Sequence, residues 1–466
     1  MVDYLQILKS FYMKRVLLVG NSPLPNDNVK SRPAAGLRTH QFLTPLLTDH
    51  IVRLITIAMP ECYEGEVERK EIHHSEKFSQ IIISKNDPGL IREVQALHDE
   101  FRPDVIIGVN TYPSHVASQL KFDAPFWADL NGWIMAEGQA QAYKMGSNDY
   151  IPHYMKLEEP ILEKADKISA VSDMEKYALI GELAGMGRLN KESFGYEFVE
   201  HIPNGTEWFN GELEGELDYK MPVPDDAFVL LWMGGYNTWV DEVLLFRGVE
   251  AAMEACPNLY YVSTGGEIAG LDNKTFASFK TMIDQSEYKE RFVFLGWVDT
   301  KEIPYIYKRA DAGLNVDIKC TETITGARNR INEMMKFGLP VITTLGSEIS
   351  YEVGIAGAGI GVPSGKAPLL AEAIVKMFEG WRGGGEHRTK EFLDIGQNAA
   401  AYIEQECNYQ KTLAPLLKWI ENPRPAPDRG VKLDFGGMGV MKSAWKYLKA
   451  NGVKKSWDKL WQRLKR

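Results

Sequence analysis

The chain has 466 residues and a mass of 52.6 kDa, with 44% hydrophobic and 25% charged residues. That is globular composition, long enough for two or three domains with their own cores, and it excludes a disordered chain. The formal charge is −10, but the last 26 residues hold nine bases and one acid, so the tail carries +8 against −18 for the rest. A body that acidic excludes general nucleic-acid binding.

Four cysteines (Cys62, Cys256, Cys320, Cys407) lie far apart with no CxxC pair, which excludes a zinc ribbon and argues against a disulfide framework. Asp3 and Lys9 interrupt the apolar N-terminal residues, unlike a secretory signal, and no apolar run approaches the roughly 18 residues of a membrane span. A reduced, cytoplasmic chain is expected.

In chain order, strands are predicted at 16–20, 52–57, 80–84, 105–109, 125–129, 168–171 and 199–202, with amphipathic helical segments such as 173–186 between them. This alternation marks a parallel α/β sheet. His73-His74 falls in a charged segment that reads as exposed, without metal partners. The acidic, turn-rich stretch 203–226 reads as a linker; its Asn204-Gly205-Thr206 fits a glycosylation acceptor that a cytoplasmic chain would leave unmodified. The alternation restarts at 228–233, followed by Gly234-Gly235 and a helix from about Val240, with Thr238 and Asp241 at capping-box spacing. Further strands are predicted at 259–263, 292–295, 312–315 and 340–344. The glycine run 354–361 reads as a loop, and neither a P-loop nor an Asp-x-Asp motif occurs. The expected organisation is two Rossmann-like domains, 1–206 and 207–396, with a cleft between them. A long helix at 397–420 and a proline-rich breaker ending at Pro427 are expected to cross back to the first domain, ahead of a basic tail, 429–466.

The most informative stretch is 321–344, TETITGARNRINEMMKFGLPVITT. Ala327, Ile331 and Met334 form a buried helical stripe, with Thr325 as a candidate N-cap and Gly326 allowing close approach of a ligand. Arg328 and Arg330 at a helix N-terminus suit a diphosphate, and Glu333 could accept hydrogen bonds from a ribose or sugar diol; an ordinary amphipathic helix with surface arginines reads equally well from these residues alone. Asp129 ends a strand and should point into the cleft, where it could orient an acceptor hydroxyl or cap the next loop. Trp297 follows a strand and a glycine, either stacking on a base or buried as a structural residue.

The run Glu333-x-x-x-x-Gly338-x-Pro340-Val341-Ile342 resembles the donor-site signature of retaining glycosyltransferases of the GT-B fold, and the likeness extends over roughly residues 15 to 420. The resemblance implies a glycosyltransferase with a nucleotide-sugar co-substrate, no metal and no other cofactor. It implies donor contacts at Gly234, Gly235, Trp297, Thr325, Gly326, Arg328, Arg330 and the ribose-binding Glu333. It also implies acceptor contacts at Gly36 and Arg38, and a glycan or lipid-linked acceptor of bacterial-type polysaccharide assembly. The sequence departs from the family where a first glutamate is usual, eight positions before Glu333; Thr325 stands there, with Glu322 three residues out of register. A nucleotide-sugar 2-epimerase of the same architecture, with His115 and His201 as its candidate histidines, and a degenerate sugar-binding scaffold are the alternatives.

In the tail, Trp457, Leu460, Trp461 and Leu464 recur at i, i+3, i+4 and i+7 among lysines and arginines, and Trp445 lies on a similar stripe one segment earlier. An apolar tryptophan face opposite a basic face predicts peripheral binding to anionic lipid at the inner face of the cell membrane. Docking of the same helix on the acidic body is the competing expectation.

Overall fold

The computed structural model describes residues 13–25, 27, 34–63, 65–208, 219–268, 270–431, 433 and 449. The tail tryptophans Trp445, Trp457 and Trp461 lie outside the described residues. Strands β1 (Arg15–Ser22), β2 (Ile51–Ala58), β3 (Lys70–Ser75), β4 (Phe78–Ser84), β5 (Val105–Val109), β6 (Phe126–Leu130), β7 (Lys167–Ala170) and β8 (Val199–His201) form one sheet in the order β3-β4-β2-β1-β5-β6-β7-β8. It is parallel except at β3, which runs antiparallel to β4. Strands β9 (Phe228–Trp232), β10 (Leu259–Thr264), β11 (Phe292–Gly296), β12 (Ala312–Asn315), β13 (Val341–Leu345) and β14 (Gly359–Pro363) form the second, all-parallel sheet, ordered β11-β10-β9-β12-β13-β14. The central strands β5, β6 and β9 are buried along their whole length because helices cover both faces, which is why they read as continuous apolar runs.

Three local expectations change. The His73-His74 segment is the edge strand β3, almost wholly exposed, whose charged residues discourage pairing with another chain. Gly359 and Gly361 belong to β14 and not to a loop; a Cβ at Gly359 would lie 1.8 Å from the Val341 carbonyl, so only glycine lets β14 approach β13. The cap of the Glu242–Ala255 helix is Asp241, whose Oδ1 accepts the Leu244 N–H at 2.9 Å, and Thr238 lies outside it.

The expected single helix at 397–420 is three: Lys390–Glu406, Tyr409–Thr412 and Ala414–Glu421. The break is where the chain recrosses between domains. The Cys407 carbonyl accepts the Thr206 N–H at 2.9 Å, Glu207 Oε1 accepts the Tyr409 N–H at 2.7 Å, and Asn408 caps the next turn through the Lys411 N–H. Beyond it, Leu413, Leu416 and Ile420 are fully buried in the first domain's core with Val16, Leu18, Phe42 and Trp127. The proline-rich segment is stapled down as well. Asp166 accepts the Ala426 N–H at 2.7 Å, and Arg188 grips Asp428 with Nε and Nη2 at 2.9 and 3.0 Å while its Nη1 reaches the Leu162 and Ala165 carbonyls.

Both Arg188 and Asp428 are buried, so removing one partner strands the other charge. Asp428→Ala is expected to cost about 3–5 kcal/mol in urea unfolding. A loss below about 1 kcal/mol, the worth of an exposed pair, would show that the staple contributes nothing beyond a surface contact.

Candidate functional site

Parallel sheets receive ligands beyond the carboxyl ends of their strands, where the strand order reverses. That point lies between β9 and β12 in the second sheet and between β1 and β5 in the first. Beyond β9, Gly234 takes φ +91°, and its N–H donates to Thr264 Oγ1 at 2.9 Å. A Cβ on Gly265 would lie 2.4 Å from the Gly234 carbonyl carbon, so glycine there is what lets the two loops meet backbone to backbone. The Gly265 N–H reaches the Gly296 carbonyl at 2.7 Å, which stitches in the end of β11, and Trp297 follows with its indole 54% exposed at the mouth.

The segment after β12 carries the charge. Thr325 is not an N-cap; it ends a short helix, Thr321–Thr325, and the next helix starts only at Asn329. Between them Arg328 donates Nε to Asp317 Oδ2 at 2.7 Å, and Nη1 and Nη2 to the two oxygens of Glu322 at 3.0 and 2.7 Å. Burial alone would depress this guanidinium, but Asp317 and Glu322 outweigh it and hold it above the ordinary arginine range. Arg328 is therefore a clamp on its own loop, not an open diphosphate ligand. Gly326 belongs to the clamp, since a Cβ there would meet Glu322 Oε1 at 2.7 Å.

Arg330 differs. Its Nη2 donates to the Gly235 carbonyl at 3.0 Å and its guanidinium lies 4.2 Å from the Trp232 ring centroid, while its buried Nη1 has no partner among the described residues. Burial lowers this guanidinium, as expected for a cation without an anion. An unpaired buried donor of this kind costs free energy until something accepts from it.

Five candidate residues are held by other contacts. Glu333 accepts from the Thr206 hydroxyl and lies 3.4 Å from Lys336 Nζ, in the seam where the chain passes between domains, and Asn332 beside it donates to the Asn204 carbonyl at 2.8 Å. Asp129 and Arg38 do not face an acceptor. They form a buried bidentate pair at 2.7 and 3.0 Å, with Ser169 donating to Asp129 and Arg38 also reaching the Ile202 and Pro203 carbonyls. Gly36 is a packing glycine, where a Cβ would lie 1.9 Å from the Pro23 carbonyl oxygen. His115 turns a ring nitrogen to the Leu157 carbonyl at 3.0 Å.

Sequence reasoning missed the first-domain wall of the cleft. Asn110, just past β5, adopts φ +69°, and its Nδ2 donates to Asn21 Oδ1 at 3.2 Å and the Ala35 carbonyl at 3.0 Å, while Asn131 donates to its Oδ1 at 3.3 Å. Positive φ at a non-glycine strand end is the kind of strain that functional sites retain. Nearby, burial and then the Glu322 charge push the Glu137 carboxyl up to about 8. The only signal in the sequence was position, each asparagine following a predicted strand. Among the described residues, no three His, Cys, Asp or Glu ligand atoms converge at the donor loops.

The carboxyls behind this wall bear on stability. Burial, then the neighbouring Glu182, pushes Glu158 up to about 9, and burial raises Glu175 also. A carboxyl raised on folding stabilises fully below its unfolded pKa of about 4.5, and that contribution is lost as pH rises through the folded value. The melting temperature is expected to fall from pH 5 to pH 9, and Glu158→Gln, neutral throughout, should flatten the fall. A variant that keeps the full slope would remove Glu158 from that account.

Residues 227–380 match the family described as glycosyl transferases group 1. No curated protein sequence matches the chain. Among solved structures, the sucrose-phosphate synthase of Thermosynechococcus elongatus superposes with a TM-score of 0.60 at 17% identity, over 87% of this chain and 98% of that one. HepE of Anabaena, solved with UDP-glucose, gives 0.57 at 16% identity over 87% and 98%. WaaG, a glycosyltransferase involved in lipopolysaccharide biosynthesis, gives 0.55 at 15% over 87% and 100%. The two-sheet architecture is the GT-B fold, and the stretch similar to group 1 glycosyl transferases lies in its second domain.

Proposed function

We propose that this GT-B glycosyltransferase moves a hexosyl group from a nucleoside diphosphate sugar, with UDP as the nucleotide, to a hydroxyl of a glycan or lipid-linked acceptor, with retention and without a metal. The observation that carries the reading is Arg330, whose buried Nη1 has no partner among the described residues, beside the glycine loops at the switch point of the second sheet. A diphosphate there would accept from Nη1 and from loop amides, and the same groups would stabilise the charge that develops on the leaving phosphate. In this reading Trp297 stacks on the base and Glu137 faces the sugar from the opposite domain. The C1–O bond to the phosphate breaks as the acceptor oxygen bonds to C1 on the same face. The acceptor proton passes to the departing phosphate oxygen, so no protein base is required. The UDP-glucose bound by HepE supports the choice of nucleotide, and WaaG supports an acceptor in surface-glycan assembly.

Arg330→Ala is expected to weaken UDP binding by about 1.5–3 kcal/mol in calorimetry, the worth of a charge-assisted hydrogen bond. Arg328→Ala should instead lower the melting temperature, because it strands Asp317 and Glu322. Unchanged UDP affinity in Arg330→Ala would sink the assignment.

The tail completes the reading. Its charge of +8 and its three tryptophans suit a cytoplasmic enzyme held at anionic lipid, where each basic residue near the surface contributes about 1 kcal/mol. The full chain should sediment with anionic liposomes and a chain ending at Val440 should not. Equal sedimentation of the two would refute the membrane role.

A further inference from the structure

The edge of the first domain opposite the cleft carries a loop, 186–198, between the Asp173–Gly185 helix and β8. That helix starts at the second domain, where the Asp173 N–H donates to Glu348 Oε2 at 2.9 Å. Its 13 residues carry the chain about 20 Å away from the cleft. The loop is closely bonded. Asn190 Nδ2 donates to the Gly187 carbonyl at 3.0 Å, and Ser193 Oγ accepts the Asn190 N–H at 2.9 Å and donates to the Arg188 carbonyl at 2.6 Å. The Tyr196 N–H reaches the Ser193 carbonyl at 2.9 Å. This fixed backbone presents Phe194, 94% exposed, the most exposed large apolar side chain among the described residues. Leu189, next to Arg188, is 48% exposed.

The chain's carboxyl-terminal segment leaves the body beside this loop, because Arg188 grips Asp428. Val431, whose N–H donates to the Asp428 carbonyl at 2.9 Å, is exposed, and so is Leu433. Two exposed apolar residues of the loop and two of the departing chain thus flank one buried ion pair. A single exposed apolar side chain is ordinary, but four gathered at one place form a patch. The acids of this edge are each paired with a base: Glu192 with Lys191 at 3.2 Å, Glu197 with Lys176 at 2.8 Å, Asp428 with Arg188, and Asp166 with Arg429. The sequence that follows is the tail of charge +8 with its three tryptophans.

We propose that Phe194 and Leu189, with Val431 and Leu433, are a second contact of this protein with an anionic bilayer, entering the headgroup boundary beside the tail. The proposal rests on the membrane reading of the tail, since a tail held at lipid brings the surface it departs from to the same lipid. The two contacts differ in kind. Attraction of the basic residues is screened by salt, whereas burial of apolar area in the interface is not. A ring held out on a bonded loop also has little backbone freedom left to lose when it inserts. The patch belongs to the folded body, so it fixes the body's orientation, which a tail alone would leave free. The amino ends of β7 and β8 then face the lipid and the cleft opens on the other side.

Sedimentation of the full chain with phosphatidylcholine–phosphatidylglycerol vesicles, at physiological and at molar salt, tests this. Phe194→Ser should lower the partition constant about five-fold and leave the melting temperature in place, because the ring touches little of the body. The double variant Leu189→Ser, Phe194→Ser should lose most of the binding that survives molar salt. Unchanged partition in both variants would overturn the patch, and loss of binding in a chain ending at Val440 would then leave the tail reading standing. The converse, weakened loop variants and an unaffected shortened chain, would refute the tail and keep the patch. A wild type that binds no vesicles overturns both. Unchanged partition with a lowered melting temperature would show the patch covered by the chain itself, and unchanged partition with loss of a dimer would show it covered by a second copy. Either result overturns the lipid assignment.

Discussion

The second domain's side of the cleft depends on one buried contact, the grip of Arg328 on Asp317 and Glu322. It ties the end of β12 to the short helix at 321–325 and fixes the three-residue loop that leads into the Asn329–Lys336 helix. That loop leads into the helix from which Arg330 reaches the Gly235 carbonyl, its Nη1 buried without a partner among the described residues. The grip is also unbalanced, two carboxylates to one guanidinium. Burial raises Glu322 and, across the cleft, Glu137, where the Glu322 charge adds to it.

A second set of polar contacts decides how the domains can move. The chain passes between them twice, and the crossings are bonded to each other through Thr206 and Cys407, and to both domains through Gln41, Asn332 and Glu333. Gly205 is confined there, since a Cβ would lie within 3 Å of the Cys407 carbonyl, Gln41 and Tyr409. Away from the crossings, the domains also meet where Ser172 bonds Thr325 and Asp173 bonds Glu348.

Much of the fold was legible because parallel strands buried on both faces leave continuous apolar runs, and the two sheets follow those runs closely. The edges were not legible, since β3 and β14 are exposed or glycine-rich and owe their existence to a neighbour's hydrogen bonds. In the segment 321–344, the sequence pointed to two arginines at a helix start, and the structure gives them different partners. The sequence could not say which arginine was free, because that depends on Asp317 and Glu322 lying within reach of Arg328 and not of Arg330. Asp129 and Arg38 misled for the same reason: a strand charge and a helix charge 91 positions apart look available until the fold brings them together. Asn110 left no trace beyond its position, as backbone strain is a property of the folded chain.

The return of the chain has a consequence for biosynthesis. Leu413, Leu416 and Ile420 pack against Val16, Leu18 and Phe42, the inner face of the first strands to be made. While the ribosome is still translating the second domain, that face has no cover, and its apolar strands stand open to solvent or to a chaperone. The second sheet, by contrast, has all its strands once residue 363 has emerged. The domain synthesised first is thus the one completed last, and the integrity of its amino-terminal core is inherited from residues near the carboxyl end.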